Sequence, residues 1–280
     1  MNVVLVGDVC IDHNVSEHTS YSGWGSALMY MAHNFRDQLA INPTLVASYC
    51  KDFVGYLADL TIIPAIPDRA KTLAIENISQ AGHRHQRYQN ADGEIDEISP
   101  AARNAVGQAD IVIVAPLLPN WPASYVCELL SHRQADSLAM LLPQGYFRSA
   151  SQDGDIHPRQ FAEAADIVPL FDLVIFSEED CPDPESEGRL LSRYGATIII
   201  TQGSKGASQV TEGGLLRVPT EAVAEEDIID SVGCGDIFGA ALAHDYFLHR
   251  SVTAAIKAGN TAARARLFQA RSGSQDARID

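Results

Sequence analysis

The string Asp230-Ser231-Val232-Gly233-Cys234-Gly235-Asp236-Ile237-Phe238 sets two glycines around one small residue, just before an apolar helical pattern. Without a Cβ at either glycine, the backbone amides of Gly233, Cys234 and Gly235 can approach an anion closely. A helix start adds unpaired N–H groups and the positive end of its dipole. Asp236, beside that anion hole, is placed to take a proton from an attacking hydroxyl. Phosphoryl transfer asks the protein mainly for positioning and charge stabilisation. An acyl-transfer oxyanion hole suits the string less, because the chain has no G-x-S-x-G elbow. A bare G-x-G-D also reads as a glycine turn with an Asp helix cap, which needs no ligand. Cys234 raises a further expectation. A thiol at a helix start can have a lowered pKa and oxidise, or it can simply replace a small alanine.

These residues need a frame. Short apolar runs at 3–6, 44–48, 111–115, 137–142, 173–176 and 197–201 are bounded by Gly, Pro and Asp, as strands buried on both faces are. Residues 72–78 and 85–89 read as a polar-faced hairpin around Ala81-Gly82. Helical spacing falls at 27–38, 121–132, 185–194, 237–249 and 253–268. Strands separated by helices predict an α/β fold with a doubly wound, mainly parallel sheet.

The string 230–238 resembles the C-terminal signature of the ribokinase/PfkB carbohydrate kinase family, usually D-T-x-G-A-G-D-x-F, with Ser231 for Thr and Cys234 for Ala. The resemblance implies a ribokinase-like fold with a small β lid, and an ATP-dependent phosphotransferase using Mg²⁺. It implies Asp236 as the base on the acceptor hydroxyl. It implies Gly233, Cys234 and Gly235 as the anion hole for the transferred phosphoryl group. In many members the loop at the first Asp, here Asp230, helps hold a monovalent cation such as K⁺. Residues 4–12, VLVGDVCID, resemble the family's first strand and the Asp that grips substrate hydroxyls. That role passes to Asp12, with Asn14 on the same substrate side. Thr201, Gly203 and Gly206 match the T-x-G-x-x-G nucleotide loop, with Ser177 nearby; two glycines also mark an ordinary hairpin. Asn260 falls where the family lines its adenine pocket.

Three departures stand out. The family's G-G-x-x-x-N-x-A appears as Gly25-Ser26-Ala27-Leu28-Met29-Tyr30-Met31-Ala32, so Tyr30 replaces an Asn that contacts substrate. N-x-x-E appears as Ser177-Glu178-Glu179-Asp180, where Asp180 can still hold a metal-bound water; the run also reads as a solvated acidic strand end. Only about a dozen residues separate Asp12 from Gly25, so the lid hairpin often inserted there is expected to be missing, leaving 72–90 as the lid. Residues 143–148 resemble the myo-inositol kinase-like short branch. Arg148 there faces an acceptor or phosphate, or only a surface carboxylate. The acceptor stays open among a sugar, an inositol and a nucleoside, and so does a homodimer through the lid. Ser26, Tyr30 and Ser177 motivate a non-catalytic nucleotide- or sugar-binding alternative; the intact D-S-V-G-C-G-D argues against it. Hydride transfer is disfavoured, because Gly7-Asp8 lacks G-x-G-x-x-G.

Composition narrows the classes. Apolar residues make up 46% and charged residues 20% of 280, as in ordinary globular proteins. The apolar runs fall far short of the ~20 residues a membrane helix needs. A net charge of −16 argues against nucleic-acid and anionic-membrane partners. Five cysteines without C-x-x-C spacing, and no basic leader, make a reducing cytoplasm the expected home. The kinase domain is expected over 1–271, with a polar tail at 272–280.

Overall fold

The computed structural model describes residues 1–16, 20–80, 83–91 and 97–269. The expected turn at 81–82 and the polar tail at 272–280 lie outside the described residues. The first half of the chain runs β1 (Val3–Gly7), β2 (Cys10–Ser16), β3 (Ser20–Gly25), α1 (Ala27–Leu39), β4 (Thr44–Val46), α2 (Val54–Leu57), β5 (Thr61–Ile63), β6 (Leu73–Gln80), β7 (His83–Gln89), α3 (Pro100–Gly107), β8 (Ile111–Ala115), α4 (Ala123–Leu130) and β9 (Leu138–Leu141). The second half runs β10 (Arg148–Ala150), β11 (Ile156–Pro158), α5 (Ala164–Ile167), β12 (Leu173–Ser177), α6 (Pro184–Ser192), β13 (Thr197–Thr201), β14 (Ala207–Thr211), β15 (Gly214–Val218), α7 (Cys234–His249) and α8 (Val252–Arg266).

Nine strands form one sheet in the order β15-β14-β13-β12-β9-β8-β1-β4-β5. Neighbours from β13 to β5 are parallel, and β13-β14-β15 is an antiparallel edge. The continuous apolar runs follow from burial on both faces. Val3 and Leu5 point into one core with α1, α7 and α8, while Val4 and Val6 point into the other with α3, α4 and α6. β8 repeats the pattern, Ile111 and Ile113 on the first side and Val112 and Val114 on the second. From β1 the chain builds outward one way to β4 and β5, then returns and builds the other way from β8. That reversal is a topological switch point, and ligands of open α/β sheets lie outside the carboxyl ends of such strands.

A separate four-stranded sheet, in the order β3-β2-β6-β7, forms the lid. β6 and β7 pair antiparallel, as the 72–90 reading requires. The hairpin expected to be missing between Asp12 and Gly25 is present: β2 and β3 pair antiparallel with Asp12 opposite Gly23. Its strands carry His, Asn, Ser and Tyr rather than an apolar alternation, so periodicity does not reveal it. Cys10, Leu73, Ile75 and Tyr88 anchor one face of the lid on Leu117 and Leu118. Alternation puts Asp12 and Asn14 on that same face, and register adds Asn77 and Gln86.

Candidate active site

Helix α7 starts at Cys234, three residues before the apolar pattern does. Gly233 precedes it at φ 82, a left-handed conformation that an L side chain rarely takes. Cys234, Gly235 and Asp236 are therefore the first turn of the helix, where N–H groups lack intrahelical partners. The Cys234 amide is turned back to the Ser231 carbonyl at 3.3 Å. At Gly235 nothing lies within 4 Å of where a Cβ would stand, so this lip of the turn is open to an approaching anion.

Asp236 lines a cavity of about 70 Å³ together with Asp180, Gln144, Ser177, Thr201 and Gly235. Ser177, Thr201 and Gly235 also line a neighbouring cavity of about 430 Å³, so the two adjoin. Burial pushes the Asp236 carboxyl up to about 7. The Arg148 charge opposes this, while Asp180 and Asp12 add to the rise. A carboxylate poised there suits a general base near neutral pH.

Arg148, at the start of β10, lines neither cavity, but its charge reaches both carboxylates. Its charge lowers the pKa of both Asp236 and Asp180 and is felt at Tyr88, whose hydroxyl donates to the Leu117 carbonyl at 2.7 Å. Replacing Arg148 removes the cation that holds Asp236 down. Arg148→Gln is therefore expected to move the acid limb of kcat/KM up by about one pH unit, and to lower the rate at pH 7. A pH–rate profile checks this; an unmoved limb contradicts it.

Asp12 is buried on β2 beside β3. A Cβ on Gly25 would stand 2.3 Å from its Oδ1, so only glycine leaves room for this carboxylate. Cys10 donates its thiol to Asp12 Oδ1 at 3.5 Å, and burial raises that thiol well above its usual range. Asn14 sits farther along the same lid face, its Nδ2 buried with no hydrogen-bond partner among the described residues.

On the other side, Asp180 Oδ2 accepts from the Ser177 amide at 2.8 Å. Burial raises its pKa, with Arg148 and the Gln144 side chain opposing. Among the described residues no group of three acidic, His or Cys side chains could cage a metal. The donor set is instead the half-buried Asp180 carboxylate, with that of Asp236 lining the same small cavity. That fits Mg²⁺, which keeps several waters and takes few protein ligands.

The larger cavity holds the expected nucleotide residues Ser177, Thr201, Gly203, Gly206 and Asn260. Gly206, at φ 91, lies so close to the Val218 carbonyl that a Cβ would stand 2.4 Å away. Asn260 donates to the carbonyls of Val218 at 3.0 Å and Pro219 at 3.3 Å, fixing the wall after β15. Phe238, Val223, Ile228 and Leu267 make part of the lining apolar.

Three expectations are redirected. Tyr30 lines neither cavity: it is buried against Gly233, edge-on to Trp24 with ring centroids 5.0 Å apart. Asp230 is already ion-paired with Arg266, its Oδ2 2.5 Å from Nη2, and its Oδ1 accepts from the Val232 amide. Cys234 is no activated thiol, since burial pushes it up to about 11. Cys234→Ala is therefore expected to keep activity within about twofold, and the parent to resist iodoacetamide at pH 8. Rapid inactivation by the reagent, prevented in the variant, would contradict this.

Sequence reasoning passed over Asp8, whose Oδ2 accepts from the Leu117 amide at 2.8 Å and from Trp121 Nε1 at 3.1 Å. It thereby ties the end of β1 to the loop after β8, although its only sequence signal is its place after the strand. It also passed over Gln144 and Arg266.

The sequence profile of the pfkB family carbohydrate kinases matches residues 83–277, well over half of the chain. The chain belongs to this family. A fructokinase of Rhizobium leguminosarum bv. trifolii is 29% identical to this pfkB family member over 133 residues. That match covers 45% of this chain and only 39% of the relative. A pyrophosphate-dependent kinase in the ribokinase family, solved as a sulfate complex, superposes with a TM-score of 0.76 at 16% identity, over 95% of each chain. The ribokinase of Thermotoga maritima gives 0.73 at 15% identity, over 96% of this chain and 94% of its own. The adenosine kinase of Sinorhizobium meliloti gives 0.75 at 14%, over 96% and 94%. At these identities the structures establish the ribokinase-like fold. Among the described residues no helix is long and apolar enough to cross a membrane.

Proposed function

We propose that this protein transfers the γ-phosphoryl group of ATP to a hydroxyl of a small polyol, a sugar or an inositol. The observation that carries this reading is the position of the half-buried Asp236 in the first turn of α7, where the two cavities adjoin and its carboxyl is raised to about 7. Asp12 orients the acceptor by accepting from its hydroxyls. Asp236 takes the proton of the attacking hydroxyl. The open amide lip at Gly235 and the start of α7 stabilise charge on the phosphoryl oxygens. Asp180 is the side chain to hold Mg²⁺ through water, and the ion supplies neutralisation of phosphate charge. The lid closes over the acceptor and limits water, which suppresses wasteful hydrolysis of the donor.

Asp12, Asn14, Asn77 and Gln86 put four hydrogen-bonding side chains on the lid face beside Ile75 and Tyr88, which supports a many-hydroxyl acceptor. One of the structural relatives is complexed with a pyrophosphate analogue and myo-inositol. The apolar lining from Phe238, Val223, Ile228 and Leu267 supports a nucleotide donor here, because bare pyrophosphate has no use for it. ADP release from Mg·ATP over sugars, inositols and nucleosides, set against phosphate release from pyrophosphate as the rival donor, tests the reading. It predicts turnover with ATP and one polyol class. Turnover with pyrophosphate alone would replace the donor, and turnover with nucleosides alone would replace the acceptor.

A further inference from the structure

Arg266, at the end of α8, is only 5% exposed, which is rare for a guanidinium without a structural task. Its Nη2 donates to Asp230 Oδ2 and its Nη1 donates to the Gln269 carbonyl. Its guanidinium carbon lies 5.9 Å from the centre of the Tyr30 ring. The contacts to Asp230 and Tyr30 lead to the turn at Gly233. Asp230 Oδ1 accepts from the Val232 amide at 3.0 Å, on one side of Gly233. The Tyr30 ring fills the space beside Gly233 itself, its carbons 2.3 to 2.6 Å from where a Cβ would stand. The Ile229 and Asp230 amides reach the Leu267 carbonyl at 2.8 and 3.4 Å, which ties the approach to this turn to the same end of α8. The charge is felt in the turn as well, since Arg266 partly offsets the burial that raises Cys234. Arg264, two residues back on α8, pairs instead with the exposed Glu221.

We infer that Arg266 is a positioning residue: a built-in cation that fixes the anion-hole turn, so that the donor site needs no free monovalent cation. A turn that must present amides to a phosphate keeps its shape better when its own carboxylate is held and tied to a neighbouring helix end. Here one guanidinium gathers the Asp230 carboxylate and the Gln269 carbonyl. Arginine suits the task because its planar fork is preorganised and always charged. A free cation would have to displace it. The inference rests on the kinase reading only where turnover is measured.

The test compares the whole protein in choline chloride and in KCl at equal ionic strength. The readouts are melting temperature and affinity for the non-hydrolysable donor adenylyl imidodiphosphate with Mg²⁺, and turnover once an acceptor is in hand. The parent is expected to change less than about twofold in affinity and turnover, and about 1 °C in melting. Arg266→Gln removes the guanidinium paired with the half-buried Asp230. It is expected to lose about tenfold or more in analogue affinity and to melt lower, with K⁺ or millimolar guanidinium restoring part of both. Arg266→Lys, which keeps the charge, is expected to fall between. Tightening of the parent's analogue affinity by about fivefold or more in K⁺ would overturn the inference, as would parent-like affinity in Arg266→Gln. If the Gln variant does not fold, the parent's response to K⁺ decides alone. Analogue binding and melting indifferent to K⁺, with no turnover in either salt, would uphold the Arg266 inference and count against the kinase reading.

Discussion

Asp236→Asn is expected to lower phosphoryl transfer by about a thousandfold while leaving ATP-analogue affinity within about threefold. A positioned general base contributes on the order of 10² to 10⁴. The asparagine keeps the shape of the side chain, so the donor cavity is undisturbed. The same substitution is expected to stabilise the fold at alkaline pH. The folded-state carboxyl titrates near 7, against 3.8 as the ordinary value. A raised carboxyl pKa means that the folded state resists ionisation. The cost therefore grows as pH climbs from the unfolded value to the folded one, and is complete above about 7. At 1.36 kcal/mol per unit this is on the order of 4 kcal/mol at pH 8 and less than half of that at pH 5. Asparagine cannot ionise and escapes this cost. Melting curves at the two pH values should show the variant gaining more at pH 8. A variant that loses both activity and stability at pH 8 would speak against a strained, functional carboxylate.

Gly25→Ala should raise the acceptor KM by about 10- to 100-fold and lower kcat, with donor affinity unchanged. The added Cβ would overlap the Asp12 carboxylate, with Oδ1 2.3 Å and Oδ2 2.7 Å away. Asp12 must then rotate away from the acceptor. Losing hydrogen bonds to a charged group costs about 1.5–3 kcal/mol, which converts to that range of affinity. Gly55→Ala is the control, because nothing lies within 4 Å of its Cβ position. An acceptor KM in Gly25→Ala equal to that of the control would remove Asp12 from the acceptor site.

Much of the frame was legible because its physics is local. Val3 to Val6 and Ile111 to Ala115 are apolar at every position since both faces are buried, and their Gly and Pro boundaries mark where strands stop. The anion-hole turn was legible for a similar reason, as only glycine takes φ 82 against the Tyr30 ring. The β2–β3 hairpin was hidden because its strands are largely polar, and a polar strand looks like a loop. The pairing of Arg266 with Asp230 spans 36 residues and joins a helix end to a loop, so no spacing rule announces it. Cys234 misled because a helix start lowers a thiol pKa only where the thiol is solvated or paired with a cation. Here the side chain is tucked against the Ala263 carbonyl and burial dominates.

The most direct test of the central claim is ³¹P NMR of Mg·ATP incubated with a pooled set of sugars and inositols, run on the parent and on Asp236→Asn. The account predicts a new phosphate monoester resonance growing in step with ADP in the parent, and neither in the variant. ADP accompanied only by inorganic phosphate, or a monoester formed equally well by Asp236→Asn, would contradict it.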